Sequence, residues 1–304
     1  MQAIRNLWTS FTNPADIQIE FADEDKQPTD NDGLPIYNHT DGLSGKINIA
    51  PNTEIEHTGV SIELIGELVV FEHPAADTKF LTLKQSFDIE SPWTEPKELD
   101  FWFNSAEKPY ESFSGVHARI KYYVKVSITR AGRPDITETK DFIVHMHKKA
   151  PMIETPIKLE VGLENRLHIE FEYDKDTYSF NDVILGKIYF LLVRVPIKTM
   201  EVSLLRRETV FVGETKRLNI KTLGKWELMD GSPVRGTCIP IRIFMNNDNM
   251  GQTQEISEKI SVQYCLNLVI VNEESNDRYF RQHEIKLYRS KEESKRSLLT
   301  EALE

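Results

Sequence analysis

The sequence has few cysteines and no long apolar segment. Only Cys238 and Cys265 occur among 304 residues, and they show no pairing pattern. Such sparse use of cysteine is typical of cytosolic proteins, whose thiols stay reduced. The longest apolar run, Val183–Val193, is interrupted by a glycine and a lysine. It therefore predicts a buried strand and not a membrane span. Residues 1–13 lack the long apolar run of a secretory signal.

The chain also lacks a net positive charge. Its formal net charge is −11 at pH 7. Nucleic acid binding requires a positive face, so this balance argues against nucleic acid as a partner. A net-negative protein is likewise repelled by anionic lipid, and any membrane contact is expected to be indirect or peripheral.

Motifs that carry catalysis are missing too. No phosphate-binding loop and no nucleophile elbow occurs. His145 and His147 are two residues apart, as strand ligands for a metal would be, but no third ligand stands at a recognisable spacing. Glu170 and Glu172 are interpreted as solvated surface. We therefore predict a protein that is not an enzyme, with no catalytic residue, no metal site and no cofactor.

What the sequence does contain is alternation of period two. Apolar residues occupy the even positions of 119–128, and the same pattern runs through Leu167–Tyr173. One buried and one wet face is typical of antiparallel strands in a sandwich, and turn dipeptides such as Asp230-Gly231 separate the strands. The fold class is predicted to be all-β. In the alternating pattern of 262–270, Cys265 falls among the outward positions, so its side chain is expected to point outward.

The same plan occurs twice along the chain. Four segments recur in order at nearly constant offsets, which predicts two copies of one β-domain. They are 17–21 with 167–171, 45–47 with 186–188, 63–65 with 203–205, and the apolar positions of 120–128 with those of 262–270. A chain of 304 residues exceeds the length at which a single hydrophobic core stops growing and chains divide into domains. The predicted division is an N-terminal extension at 1–15, β-sandwiches at 16–150 and 151–290, and a charged tail at 291–304.

Some apolar residues occur where a core does not need them. Leu228 and Met229 immediately precede the turn Asp230-Gly231. Loop-tip residues of this kind either contact a partner or anchor the loop on its own domain, and the sequence is compatible with both interpretations. Phe280 follows another charged turn.

Longer stretches give a family resemblance over about residues 16–290. They are EKPYES at 107–112, LHIEFEY at 167–173, GKIYFLLVR at 186–194, MDGSPV at 229–234 and RYF at 278–280. In these the chain resembles the arrestin-like subunits of retromer, the family of vacuolar protein sorting protein 26. The resemblance implies an arrestin-like fold of two tandem antiparallel β-sandwiches. Departures fall around 26–39 and 77–96, which are expected to be loops.

The resemblance also implies a function and its sites. It implies a non-enzymatic subunit of an endosomal sorting coat, cytoplasmic and recruited to the cytosolic face of endosomes. The family's contact with the large helical-solenoid subunit, vacuolar protein sorting protein 35, matches Leu228, Met229, Asp230 and Gly231. Binding of transmembrane cargo tails beside a sorting nexin matches Val161, Gly162 and Phe280. The alternative for Val161 and Phe280 is that they fill the core of their own domain.

The sequence leaves two other functions open. A free-standing arrestin-type adaptor for phosphorylated receptor tails would need clustered basic residues, whereas the lysines and arginines here are dispersed. A carbohydrate-active or metal-dependent β-sandwich enzyme would need convergent acids or metal ligands, which the motifs do not indicate.

Overall fold

Contacts within the chain divide it into two units. One comprises residues 1–114 and 118–146, and the other comprises 115–117 and 147–304. The computed structural model describes residues 14–104, 107–163, 165–245, 250–256 and 258–291. The N-terminal extension up to residue 13 and the charged tail from residue 292 lie outside the described residues. The predicted domain bounds stay a prediction.

The first unit consists of two sheets. Its strands are β1 (Ala15–Phe21), β2 (Ile36–Asn38), β3 (Leu43–Pro51), β4 (Gly59–Val70), β5 (Thr78–Phe87), β6 (Lys97–Phe103), β7 (Phe113–Ser114), β8 (Ala118–Thr129) and β9 (Ile136–His145). One sheet has the order β1-β3-β6, and the other has the order β2-β9-β8-β4-β5 with β7 on β8. Two short 3₁₀ helices, Glu24–Lys26 and Pro74–Ala76, lie between strands.

Aromatic side chains join the two sheets of the first unit. Phe21 on β1 makes edge-to-face contacts with Tyr37 on β2, Phe101 on β6 and Phe142 on β9. Ring centroids are 5.8 to 6.5 Å apart, which is the favourable range for such pairs. All four rings are buried, so the inward faces of both sheets form one core.

The second unit also consists of two sheets. Its strands are β10 (His147–Lys148), β11 (Ile157–Leu163), β12 (Leu167–Tyr173), β13 (Thr177–Ser179), β14 (Val183–Val193), β15 (Ile197–Val212), β16 (Thr215–Asp230), β17 (Cys238–Phe244), β18 (Gln254–Ile256), β19 (Ile260–Asn272) and β20 (Arg278–Ser290). One sheet has the order β11-β12-β14-β17. The other has the order β10-β20-β19-β15-β16, with β13 on β20 and β18 on β19.

The predicted all-β class is confirmed. Apart from the two 3₁₀ helices, the regular elements from residue 14 to residue 290 that the structure describes are strands. Their pairing is antiparallel except at β2 with β9 and where β10 and β13 meet β20. The period-two patterns therefore correspond to the strands of two β-sandwiches that follow one another along the chain.

Strand register supports the duplication and corrects one of its alignments. Leu64 pairs with Val124 in the first unit, and Leu204 pairs with Leu266 in the second, as the repeated segments require. The alignment of 17–21 with 167–171 is wrong by two residues. Phe21 pairs with Gly45, whereas the residue paired with Gly186 is Tyr173. A period-two pattern matches itself after a shift of two residues, so the sequence alone does not determine this register.

Each unit also contains a buried tyrosine at an equivalent position. Tyr122 on β8 donates its hydroxyl to the backbone oxygen of Tyr110 at 2.7 Å. Tyr264 on β19 donates in the same way to the backbone oxygen of Gly251. Both side chains are fully buried, so each hydroxyl satisfies a carbonyl of the segment that precedes its strand.

A glycine at the same place in each unit permits close strand pairing. A Cβ atom on Gly45 would lie 2.1 Å from the backbone oxygen of Glu20 and 2.8 Å from the Phe101 ring. A Cβ atom on Gly186 would lie 2.5 Å from the backbone oxygen of Glu172. Both glycines are therefore steric requirements of the fold.

Two local expectations are wrong. The segment around 77–96 contains the ten-residue strand β5, an edge strand whose residues are all exposed or half-buried. Its side chains alternate only between exposed and half-buried, which is a weaker apolar pattern than that of a core strand. Cys265 is buried and not outward, because every residue of β19 from Tyr264 to Ile270 is buried on both faces. Burial raises the pKa of the Cys265 thiol, which keeps it protonated.

Lys108 is a buried cation in the first unit. Its side chain is fully enclosed, and its Nζ atom donates a hydrogen bond to the backbone oxygen of Asp41 at 2.6 Å. Burial lowers the pKa of Lys108 from 10.5 to about 8, because apolar surroundings disfavour the charged form.

This shift predicts a pH-dependent stability. Between pH 8 and 10 the unfolded chain keeps a proton on Lys108 that the folded chain has released, so the free energy of unfolding rises with pH. Lys108 is expected to contribute a gain of about 1 to 2 kcal/mol between pH 8 and pH 9.5. Urea denaturation of the wild type and of Lys108→Met at both pH values measures this gain as their difference. The same pH dependence in both proteins would contradict the assignment.

Candidate binding surfaces

Leu228 and Met229 lie near the end of β16 and not on a loop tip. Met229 pairs with Met200 on β15, and Glu227 pairs with Glu201, so Leu228 is the extra residue of a β-bulge with no partner opposite it. Both side chains are half-buried. Met200 is fully buried, and Met229 therefore shares a face with a core residue. This register favours the anchoring alternative for Met229 and leaves Leu228 as the residue displaced from the ladder.

The turn after β16 is held firmly to the start of β15. The backbone nitrogen of Gly231 donates to the oxygen of Lys198 at 2.7 Å, and Gly231 has a φ of 84°, which glycine adopts without strain. The Oγ atom of Ser232 accepts from the nitrogen of Ile197 at 2.6 Å and donates to its oxygen at 3.2 Å. Asp230 is exposed. Leu228 is thus presented on a rigid element, which lowers the entropic cost of binding.

The strand that carries these residues is an edge strand. In the described part of the chain β16 is hydrogen-bonded to β15 alone. It also exposes Leu218 and Ile220, each 48% exposed. These two residues lie on the same strand as Leu228 and Met229 but further from the turn, so they provide matched apolar controls.

Val161 and Gly162 lie on the edge strand β11. Val161 pairs with the fully buried Ile169 and is itself half-buried, at the margin of the core. Gly162 pairs with His168 and is exposed. A Cβ atom on Gly162 would meet only the backbone oxygen of Leu167, at 3.9 Å. Among the described residues, the face of the sheet above Gly162 is therefore open.

Phe280 lies on β20 and does not fill the core. Its side chain is 60% exposed, and it pairs with Val269 on β19. On the other side of β20, the described strands β13 and β10 pair only with residues 286–290. The backbone edge beside Phe280 therefore has no described strand on it. Phe280 and Val161 belong to different sheets of the second unit.

Sequence patterns missed a cluster of metal-ligating groups on the four-stranded sheet. Glu160, His168 and Glu170 bring one ligand atom each within 4.8 Å of the others. The pairing of β11 with β12 creates this cluster, which no local spacing reveals. His145 and His147 lie on separate strands, β9 and β10, and are not part of it.

A shallow groove crosses one end of the same sheet. Its volume is about 650 Å³, and residues of β12, β14 and β17 line it, among them Tyr173, Lys187 and Ile241. None of the residues predicted for partner binding lines this groove.

Comparison with known families identifies the kind of protein. Residues 11–275 match the family model Vps26, described as vacuolar protein sorting-associated protein 26. The chain belongs to the Vps26 family. Membership confirms the predicted family resemblance and, with the β-sheets described above, the arrestin-like fold. The family is one of vacuolar protein sorting, and membership indicates a role in that process within a protein sorting complex.

Individual relatives extend over most of the chain. Vacuolar protein sorting-associated protein 26A of Arabidopsis thaliana is 42% identical over 299 residues, covering 95% of this chain and 99% of the relative. Protein 26B of Homo sapiens is 40% identical over 264 residues, covering 86% of this chain and 78% of the relative. The described residues contain no helical segment with the length and hydropathy of a membrane span.

Proposed function

We propose that this protein is a non-enzymatic subunit of the retromer endosomal coat. In this proposal it binds the large helical-solenoid subunit, vacuolar protein sorting protein 35, and helps a sorting nexin select transmembrane cargo for endosome-to-Golgi or endosome-to-surface transport. It is cytoplasmic and is recruited to the cytosolic face of endosomes. Membership of the Vps26 family is the observation that carries the proposal.

The proposed solenoid contact is the bulge and turn at Leu228, Met229, Asp230 and Gly231. An apolar side chain displaced from its ladder on a rigid edge can enter a groove between two helices. The exposed carboxylate of Asp230 beside it supplies a polar rim to the same contact.

The proposed cargo contact is the open edge of β11 together with Phe280. An extended segment can add to an edge strand through backbone hydrogen bonds, and apolar side chains of the segment then give specificity. Gly162 leaves room for the approaching backbone, and Val161 offers an apolar surface at the margin of the core. The exposed ring of Phe280 is free of a core role, which supports a contact with cargo or sorting nexin.

We expect Phe280→Ala to weaken cargo binding by about 1 to 3 kcal/mol, because an exposed aromatic anchor loses its contact area. Affinity for the solenoid subunit is expected to stay unchanged. Calorimetric titration of a cargo-tail peptide into the protein with its sorting nexin measures the affinity for cargo. A separate titration with the solenoid subunit measures the affinity for that partner.

Phe244→Ala is the matched control for this substitution. Phe244 lies at the end of β17 and is 62% exposed, so its truncation removes a similar ring from a different surface. Equal loss of cargo affinity in both variants, or a lower melting temperature in Phe280→Ala, would remove Phe280 from the site.

Capture of partners from cytosol tests the whole proposal. Recovery of the solenoid subunit with the full chain is the expected result. If phosphorylated receptor tails bind instead and no solenoid subunit is recovered, the chain acts as a free-standing arrestin-type adaptor.

A further inference from the structure

Three metal-ligating side chains converge on one face of the four-stranded sheet. Glu160 on β11 pairs directly with Glu170 on β12, and His168 lies two residues before Glu170 on the same face. The Nδ1 or Nε2 atom of the imidazole and one oxygen of each carboxylate all lie within 4.8 Å of one another. Two antiparallel strands thus supply one nitrogen and two oxygen ligands.

The two carboxylates of this cluster have no lysine or arginine partner among the described residues. The Nε2 atom of His168 is enclosed and makes no hydrogen bond, and Glu160 Oε2 lies 3.7 Å from it. Within the described ranges no lysine or arginine forms an ion pair with Glu160 or Glu170, and like charges opposite one another destabilise a strand pair. Glu172, next along the same face, is paired with Lys158 at 3.3 Å. Among the described residues the ion-pair partner of Glu160 is thus the imidazole of His168, whereas Glu172 has a lysine.

We propose that Glu160, His168 and Glu170 form a binding site for a divalent transition metal such as Zn²⁺. One imidazole and two carboxylates suit Zn²⁺, whereas Mg²⁺ and Ca²⁺ prefer oxygen ligands alone. Ligands of a tetrahedral zinc ion lie roughly 3.4 Å apart, so atoms that are up to 4.8 Å apart here have to approach by up to about 1.4 Å. The Glu160 side chain is 70% exposed and can rotate to do this.

The bound metal would fasten an edge strand. Glu160 belongs to β11, which in the described sheet pairs with β12 alone, while the other two ligands belong to β12. The imidazole has to be neutral to bind a metal, so zinc competes with a proton for its nitrogen.

Zinc titration of the full chain tests the site. The tag-free protein is stripped of metal, and ZnCl₂ is added in competition with a chromogenic chelator. The expected result is one tight zinc equivalent per chain at pH 7.5. His168→Ala and Glu160→Gln are each expected to weaken it at least about 10-fold. Excess Mg²⁺ is expected not to displace the zinc.

Two control variants make the outcome specific. Glu172→Gln removes an acid from the same strand and face but outside the cluster, and Cys238→Ser removes an exposed thiol that could bind zinc elsewhere. Both are expected to keep the wild-type affinity. Undiminished binding in Glu160→Gln or His168→Ala overturns the proposal, as does the absence of a stoichiometric equivalent. Circular dichroism checks each fold, and if His168→Ala misfolds, the exposed Glu160→Gln decides.

Discussion

Replacing Leu228 by Asp and Met229 by Asn is expected to abolish binding to the helical-solenoid subunit. The substitutions would place a charge and an amide in an apolar groove of the partner, at a cost of roughly 3 kcal/mol or more. A loss of this size lowers the affinity more than about 100-fold. Titration calorimetry with the purified solenoid subunit measures it.

Two further variants decide what such a loss means. Leu218→Asp with Ile220→Asn makes the same chemical change at exposed positions of the same strand and should leave the affinity unchanged. Leu228→Asp alone tests the bulge residue without disturbing Met229, which faces the buried Met200. Unchanged affinity in both the double variant and Leu228→Asp would show that the solenoid subunit binds elsewhere. A fall in melting temperature confined to the double variant would assign Met229 an anchoring role.

Gly45→Ala is expected to destabilise the first unit by about 3 kcal/mol or more. The new methyl group would lie 2.1 Å from the backbone oxygen of Glu20. That oxygen belongs to the paired strand β1, so relief of the overlap requires breaking part of the ladder between β1 and β3. Gly186→Ala is expected to do the same in the second unit, where the oxygen is that of Glu172. Thermal unfolding followed by circular dichroism reports both losses.

Gly59→Ala is the matched control for both glycines. Gly59 begins β4, and a Cβ atom there would meet nothing within 4 Å. We expect a change within about 0.5 kcal/mol. If Gly45→Ala is as stable as Gly59→Ala, the close approach of β1 and β3 is relaxed in solution.

Patterns in the sequence predict the strands well and their pairing less well. The alternation of 119–128 predicts β8 because one face of that strand is buried and the other is wet. The outward placement of Cys265 is wrong because its strand is buried on both faces, and alternation then does not show which face a residue occupies. The two-residue error in aligning 17–21 has the same origin, since a period of two does not distinguish such shifts.

The candidate sites show the same limit. The dipeptide Asp230-Gly231 indicates where a strand ends, but it does not tell whether the apolar residues before it belong to that strand. The bulge at Leu228 appears only when β15 and β16 are aligned residue by residue. The grouping of Glu160 with His168 and Glu170 likewise depends on the register of β11 on β12. Family resemblance named the proposed partner residues, and it said nothing of that cluster.

The open edge of β16 has a consequence for the solubility of the isolated chain. A long strand with an unpaired edge and exposed Leu218 and Ile220 is a template for aggregation. Two exposed lysines, Lys216 and Lys221, interrupt its apolar residues and oppose the pairing of one copy with another. Positive charge along this strand thus opposes edge-to-edge association of a protein whose overall charge is negative.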